Sequence, residues 1–213
     1  MCALLLAVNF SAPAQQSGGV IRNHFDSDAN LRAPGYFDFA VLGAPGPADW
    51  VVLADFNTPS APNQVTQTKQ DRPADSIAVA IRRSASFVDG RLSIAMKRAS
   101  GRGGILFRMV SEKDFLVLLV ANGSGDARLL SYRGGKPTEL ARGQAELNAE
   151  WGVLEISAAG SEVRATWAGK PLLTARDPAP AAGRAGMATA GPGPASFDEF
   201  ILEPASEKPA SPK

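Results

Sequence analysis

"GGILFRMVSEKDFLVLLVAN", Gly103 to Asn122, is the stretch that decides the fold. Ile105, Phe107 and Met109 share one parity and Arg108 takes the other, the period-2 pattern of a strand with one buried face. After the charged turn formers "SEKD" the pattern changes. Every position from Phe115 to Ala121 is apolar, as in a central strand covered on both sides. "NGSGD" then supplies the next turn.

The same grammar extends in both directions. Upstream, "GRLSIAMKR" alternates Leu92, Ile94 and Met96 with Arg91, Ser93, Ala95 and Lys97. Downstream, "ARLLSYRGGKPTELARG" gives two strands around Gly134-Gly135. "WGVLEISAAGSEVRATWAGKPLLTARD" gives three, turning at Ala159-Gly160-Ser161 and Ala168-Gly169-Lys170. "GRAGMATAG" and "SFDEFILEP" close the series, the second with Phe197 and Phe200 as its large apolar side chains. No segment sustains a 3.6-residue period over a helical length, and no repeat of twenty to fifty residues recurs. Short strands with turn signals every eight to twelve residues predict an all-β sandwich or barrel.

Composition agrees. The chain has 213 residues, 45% hydrophobic and 20% charged, with 21 Gly and 16 Pro, which suits one loop-rich β domain. Lys and Arg number 22 against 21 Asp and Glu. That balance provides no field to gather nucleic acid or an anionic membrane. At the N-terminus, the apolar "ALLLAVNF" precedes Ala12-Pro13-Ala14, which has the small-x-small form of a signal-peptidase site. Residues 1–14 are therefore expected to be a secretory leader, cleaved after Ala14, and too short to span a bilayer. Cys2, the single cysteine, leaves with it, so the mature chain has no disulfide, as suits a bacterial periplasm or exterior. The β domain is expected over residues 15–203. Residues 204–213, all Pro, Ala, Ser, Lys and Glu, are expected to be a disordered tail.

The ordered run "GRGGILFRMVSEKDFLVLLV", "LLSYRGGKPTELARG", "WGVLEISAAGSEVRATWAGKPLLTARD", "AGRAGMATA" and "SFDEFIL" resembles the second half of the concanavalin A-like lectin and glucanase superfamily. Within it, the chain is similar to the laminin G-like domains of bacterial secreted proteins and to the 3-keto-disaccharide hydrolase group. The resemblance covers about residues 25–203, with "FDSDANLRAPGYF" and "DWVVLADF" similar to the opening strands of that group. It implies a jelly-roll β-sandwich of two curved antiparallel sheets, whose concave face in relatives often binds or cleaves glycans. Function has to be argued from residues all the same.

Catalytic sets are scarce. One histidine, His24, and no Gly-x-Ser-x-Gly turn leave little for a Ser-His-Asp arrangement, and no His/Cys cluster offers a transition-metal site. The superfamily's Glu-x-Asp-x-x-Glu glycosidase strand is met only by Glu112-Lys113-Asp114, where position 117 is Val and the triplet falls in a turn. Asp198 and Glu199 are neighbours on a strand and face opposite sides, so Asp198 is expected to satisfy a sandwich edge or a loop backbone. Asp26, Asp28 and Asp126 are available oxygen ligands, but their short turns are not a calcium loop. No metal, cofactor or catalytic residue is predicted.

Binding residues are easier to nominate. Opposite the apolar parity stand Arg91, Lys97, Arg108 and Arg164. A curved sheet that gathered them would form a cationic patch suited to acidic sugars or to polar glycans held by guanidinium forks. The same alternation also describes the solvated face of an amphipathic sheet. Trp167 shares parity with Val163 and Ala165 and is expected in the core, and Trp151 is expected to be structural. Trp50, Tyr36 and Tyr132 are the aromatics expected near the mouth of the concave face, where a sugar ring would stack. The sequence thus predicts a secreted or periplasmic, monomeric, non-catalytic module that recognises a glycan or another extracellular surface. The alternative implied by the resemblance is a hydrolase of 3-keto-disaccharides or related glycosides. A third reading is a structural accessory domain without a small ligand.

Overall fold

The computed structural model describes residues 19–44, 46–69, 71–98 and 101–205. The expected leader, residues 1–14 with Cys2, lies outside them, as does the expected tail from residue 206 onward. Pro204, placed in that tail by its composition, is instead the last residue of a strand and pairs with Gly90.

The strands, numbered in chain order, form two antiparallel sheets. The first runs β13 (Lys170–Arg176), β12 (Glu162–Trp167), β11 (Trp151–Ala159), β6 (Gly90–Lys97), β15 (Ala195–Pro204), β4 (Asn63–Gln67) and β3 (Trp50–Ala54), with β1 (Ile21–Asn23) beside the second half of β15. The second runs β10 (Lys136–Gln144), β9 (Asp126–Arg133), β8 (Asp114–Ala121), β7 (Arg102–Ser111), β14 (Arg184–Ala190), β5 (Ile77–Arg82) and β2 (Phe37–Leu42). The chain makes two meanders, β7 to β10 in one sheet and β11 to β13 in the other. It then passes between sheets through β14 and β15, which close the jelly roll. Among the described residues no helix is long and apolar enough to cross a membrane.

The alternation read from the sequence faces inward as expected. Leu92, Ile94 and Met96 from β6 meet Ile105, Phe107, Leu116, Leu118 and Val120 from the other sheet in one buried cluster. Trp167, Val163 and Ala165 join it, and the Trp167 indole N–H donates to the Glu146 carbonyl at 3.1 Å. Full burial of side chains this size stabilises by about 1.5–3 kcal/mol each.

β8, apolar from Phe115 onward, is covered on both faces. Its alternate residues Phe115, Val117 and Leu119 belong to a second buried cluster with Leu42, Ile77, Val79, Ile81 and Leu106, on the other side of the second sheet. Curling of that sheet makes such a cluster feasible. Ile77 stands level with Ala190 and Arg102, whereas Phe115 lies opposite the bulge that follows Phe107, across three strand spacings. In a flat sheet these residues would be about 24 Å apart, from about 3.3 Å per residue and about 4.8 Å per strand. Both nevertheless line one depression. The accumulated twist therefore folds two diagonal corners of the sheet towards each other.

Two expectations fail for identifiable reasons. Strict alternation along β7 is interrupted at Arg108, which has φ 51° where the pairing with β8 and β14 shifts register. The bulge sends Met109 to the second cluster beside Leu106 and removes Arg108 from the solvent face. Trp50 is not in a loop. It begins β3, is 3% exposed, and packs at 5.6 Å from Phe197.

Candidate functional site

The depression between the two corners is assembled from four short pieces of chain. On one side, the two-residue turn between β7 and β8 is locked from within. Ser111 Oγ donates to Asp114 Oδ2 at 2.7 Å, and the Lys113 N–H donates back to Ser111 Oγ at 3.1 Å. The β9–β10 turn docks onto it: Gly134 N–H reaches Asp114 Oδ1 at 2.9 Å and Gly135 N–H reaches the Lys113 carbonyl at 2.9 Å. Gly134 and Gly135 have φ of 56° and 80°, the left-handed pair that a tight hairpin turn needs. The Gly134 amide, then Ser111, hold the Asp114 carboxyl below its usual range. This lock presents Glu112 and Lys113 at the rim.

The opposite side is the segment before β5. Buried Arg72 anchors it to β14, donating to the Thr189 hydroxyl at 2.7 Å and carbonyl at 3.3 Å, and Ser76 folds back on the Pro73 carbonyl. Asp75 is carried at the rim by this anchored segment. Leu42 and Ile77 supply apolar walls. The remaining wall is an aromatic pair, Phe115 and Tyr132, cross-strand partners whose rings stack at 4.4 Å and 13°. The cavity measures about 240 Å³. Burial, and then the Asp75 charge, push the Tyr132 hydroxyl above its ordinary pKa, so it stays a protonated donor at neutral pH.

The rim carboxylates differ from nearly all others. Among the described acidic side chains, those that take part in no hydrogen bond or ion pair are Asp49, Asp75 and Glu112, and two of these three face this one depression. An apolar and aromatic lining, two free acceptors and two donors can hold a small polyhydroxylated ligand, with carboxylates taking its hydroxyl protons.

Of the residues nominated from sequence, Tyr132 lies in this depression. Arg91 and Arg164 do come together, but on the outer face of the other sheet, in a cross-strand row Glu203–Arg91–Ser157–Arg164–Thr174. Lys97 stands at the far end of β6 from Arg91, between Asp55 at 2.5 Å and Glu150 at 3.1 Å. Each of these cations has a carboxylate partner: Glu155 for Arg91, Glu162 for Arg164. Arg108 belongs to the other sheet and is 1% exposed. The expected four-residue cationic patch therefore does not form. Tyr36 is exposed, with the Arg82 guanidinium 5.0 Å over its ring, and is not part of the depression. Asp198, as expected, serves a backbone, accepting the Ser60 N–H at 2.7 Å.

Sequence reasoning missed Asp75, Leu42, Ile77 and Phe115 as site residues. Glu112 was weighed only as part of a failed catalytic strand. What marks them is the approach of two sheet corners and the lack of ion-pair partners, neither of which has a local signature.

This architecture is a concanavalin A-like jelly-roll fold. No protein-family model matches the sequence, and no curated protein matches it. Among solved structures, the chain is similar to a Bacillus subtilis protein of unknown function with a galectin-like fold, at 14% identity and TM-score 0.59 over 86% of this chain and 94% of that one. It is similar to the carbohydrate-binding module CBM66 from Bacillus subtilis, at 16% identity and TM-score 0.53 over 72% and 94%. It is also similar to the β-glucanase of Bacillus licheniformis, at 11% identity and TM-score 0.56 over 87% and 98%. At these identities the likeness is one of fold.

Proposed function

We propose that this chain is a carbohydrate-binding β-sandwich module, acting in the periplasm or outside the cell, with its ligand seated in the Tyr132 depression. The observation that carries this is the stacked Phe115–Tyr132 pair in a cavity of about 240 Å³ rimmed by carboxylates with no partner in the protein. Aromatic surface takes the C–H face of a sugar, and carboxylates take its hydroxyls. The carbohydrate-binding module and the glucanase of the same fold support the reading by showing what such a scaffold hosts. A volume below the usual range for drug-sized ligands suits one sugar unit rather than a long stretch of polymer.

A hydrolase is the second reading, favoured by Asp75 and Glu112 lining one depression from separate corners of the sheet. One experiment separates the two. The purified chain is titrated with a panel of oligosaccharides beside Tyr132→Ala, and the same wells are assayed for released sugar. Saturable binding that Tyr132→Ala weakens at least about tenfold, without product, supports the module. Product that Glu112→Gln abolishes would replace it with the enzyme. No binding by any oligosaccharide removes the carbohydrate reading.

A further inference from the structure

We infer that the depression selects a sugar unit carrying a protonated amino group, an inference that rests on the carbohydrate reading above. Its ground is the distribution of charge over the whole surface. On the outer face of the first sheet most cations are paired, Arg91 with Glu155, Lys97 with Asp55 and Glu150, Arg164 with Glu162, Arg22 with Glu203, while Arg176 donates to Ser161. Asp38 on β2 is likewise held by Arg83 and Arg184, and Glu139 on β10 by Arg142. The depression gathers two of the three described carboxylates that stay unpaired. Asp75 and Glu112 enter it with no cation of their own, and Lys113 is the sole cation among its lining residues. The cavity therefore keeps an excess of negative charge at its exposed rim, beside apolar walls.

That balance discriminates between sugars of one skeleton. A uronate or sulfated unit would bring like charge against two free carboxylates and is disfavoured. A neutral unit gains hydroxyl hydrogen bonds only. An ammonium group gains the same contacts plus a charge-assisted hydrogen bond to Asp75 or Glu112. Both carboxylates sit on anchored pieces, Asp75 beyond the Arg72–Thr189 contact and Glu112 beside the Ser111–Asp114 lock, so they lose little freedom on binding.

The test is calorimetric titration of the full chain at about pH 6, above the ordinary carboxylate range. The probes are glucosamine oligosaccharides, their N-acetylated counterparts of equal length, and unsubstituted β-glucan oligosaccharides. The amino series is expected to bind at least about tenfold more tightly than the N-acetylated series at low salt, with the gap closing as salt is raised. Asp75→Asn combined with Glu112→Gln should erase the gap between the amino and N-acetylated series. The thermal melt should not change, because neither side chain bonds to the protein. Equal or tighter binding of the N-acetylated series, or a preference that survives the double variant, overturns the inference and leaves the carbohydrate reading in place. Failure of all three series to bind overturns both.

Discussion

Arg108 is the largest fully buried side chain among the described residues, and its guanidinium is fully committed. It donates to Asp177 at 2.9 Å, to the Val88 carbonyl at 2.7 and 2.9 Å, to the Gly160 carbonyl at 2.7 Å and to Asp89 at 3.3 Å. Asp177, fully buried, also takes a bond from Arg133 at 3.0 Å. The group ties the bulge of β7 to the segments before β6 and after β11 and β13. Removing Arg108 leaves the buried Asp177 carboxylate with Arg133 as its one remaining cation, and breaking a buried pair costs up to about 3–5 kcal/mol. Arg108→Ala should therefore lower the melting temperature by roughly 6–20 °C. Adding Asp177→Asn should recover part of that loss, because the stranded charge is removed. A single variant that melts within about 2 °C of the parent would show that the network holds nothing. Parity could not reveal any of this. An arginine at an alternate position reads as solvent-facing, and only the extra residue of a bulge, invisible in the pattern of apolar residues, turns it inward.

At the scale of elements, β15 carries the second irregularity. The pairing with β6 shifts between Asp198 and Ile201, with Glu199 at φ 54°. The buried Asp198 carboxyl accepts its neighbour's N–H at 2.7 Å and the Ser60 N–H at 2.7 Å, so it fastens the segment between β3 and β4 to the sheet. Asp26 joins from the other side through Ser60 Oγ at 2.7 Å, and His24 lies 3.2 Å from Glu199. Burial pushes the Asp198 carboxyl up to about 6, against the pull of its two N–H donors and with the added push of Glu199 and Asp26. A raised carboxyl pKa means that the folded chain binds this proton more tightly than the unfolded chain. Its contribution is thus most favourable below the unfolded value of about 3.9 and is lost as pH rises towards about 6. Asp38, Asp55 and Glu139, held low by cations, contribute in the opposite sense as pH falls. A comparison with Asp198→Asn isolates the one group. The parent's advantage in melting temperature should shrink between about pH 4 and pH 6, and a flat difference across that window would contradict the account.

For the molecule as a whole, the layers were legible and the site was not. Alternation in β6, continuous apolarity in β8 and glycine turns at 134–135 and 160 are local facts, and each survives as read. Trp167 was placed correctly because its parity matched Val163 within one regular strand. Trp50 was misplaced because β3 sits among Pro- and Gly-rich segments that read as loops. The depression depends on the diagonal closure of a coiled sheet, which joins residues 42, 75, 112 and 132, and no spacing along the chain encodes that meeting.

The two faces can be told apart by experiment, since the arginines of the row on one are paired with carboxylates and two carboxylates of the other have no partner. Arg91 and Arg164 lie in one row on the first sheet, their side chains 59% and 68% exposed and paired with Glu155 and Glu162. Exposed pairs contribute about 0.2–1 kcal/mol each, so the double variant Arg91→Ala with Arg164→Ala should shift the melting temperature by no more than roughly 8 °C. If the ligand sits between the corners of the second sheet, that variant keeps the parent's oligosaccharide affinity, and Tyr132→Ala loses it. The reverse result, with affinity lost on the arginine row and kept at Tyr132, would move the site to the first sheet. The Glu203–Arg91–Ser157–Arg164 row would then be the surface that a glycan lies across.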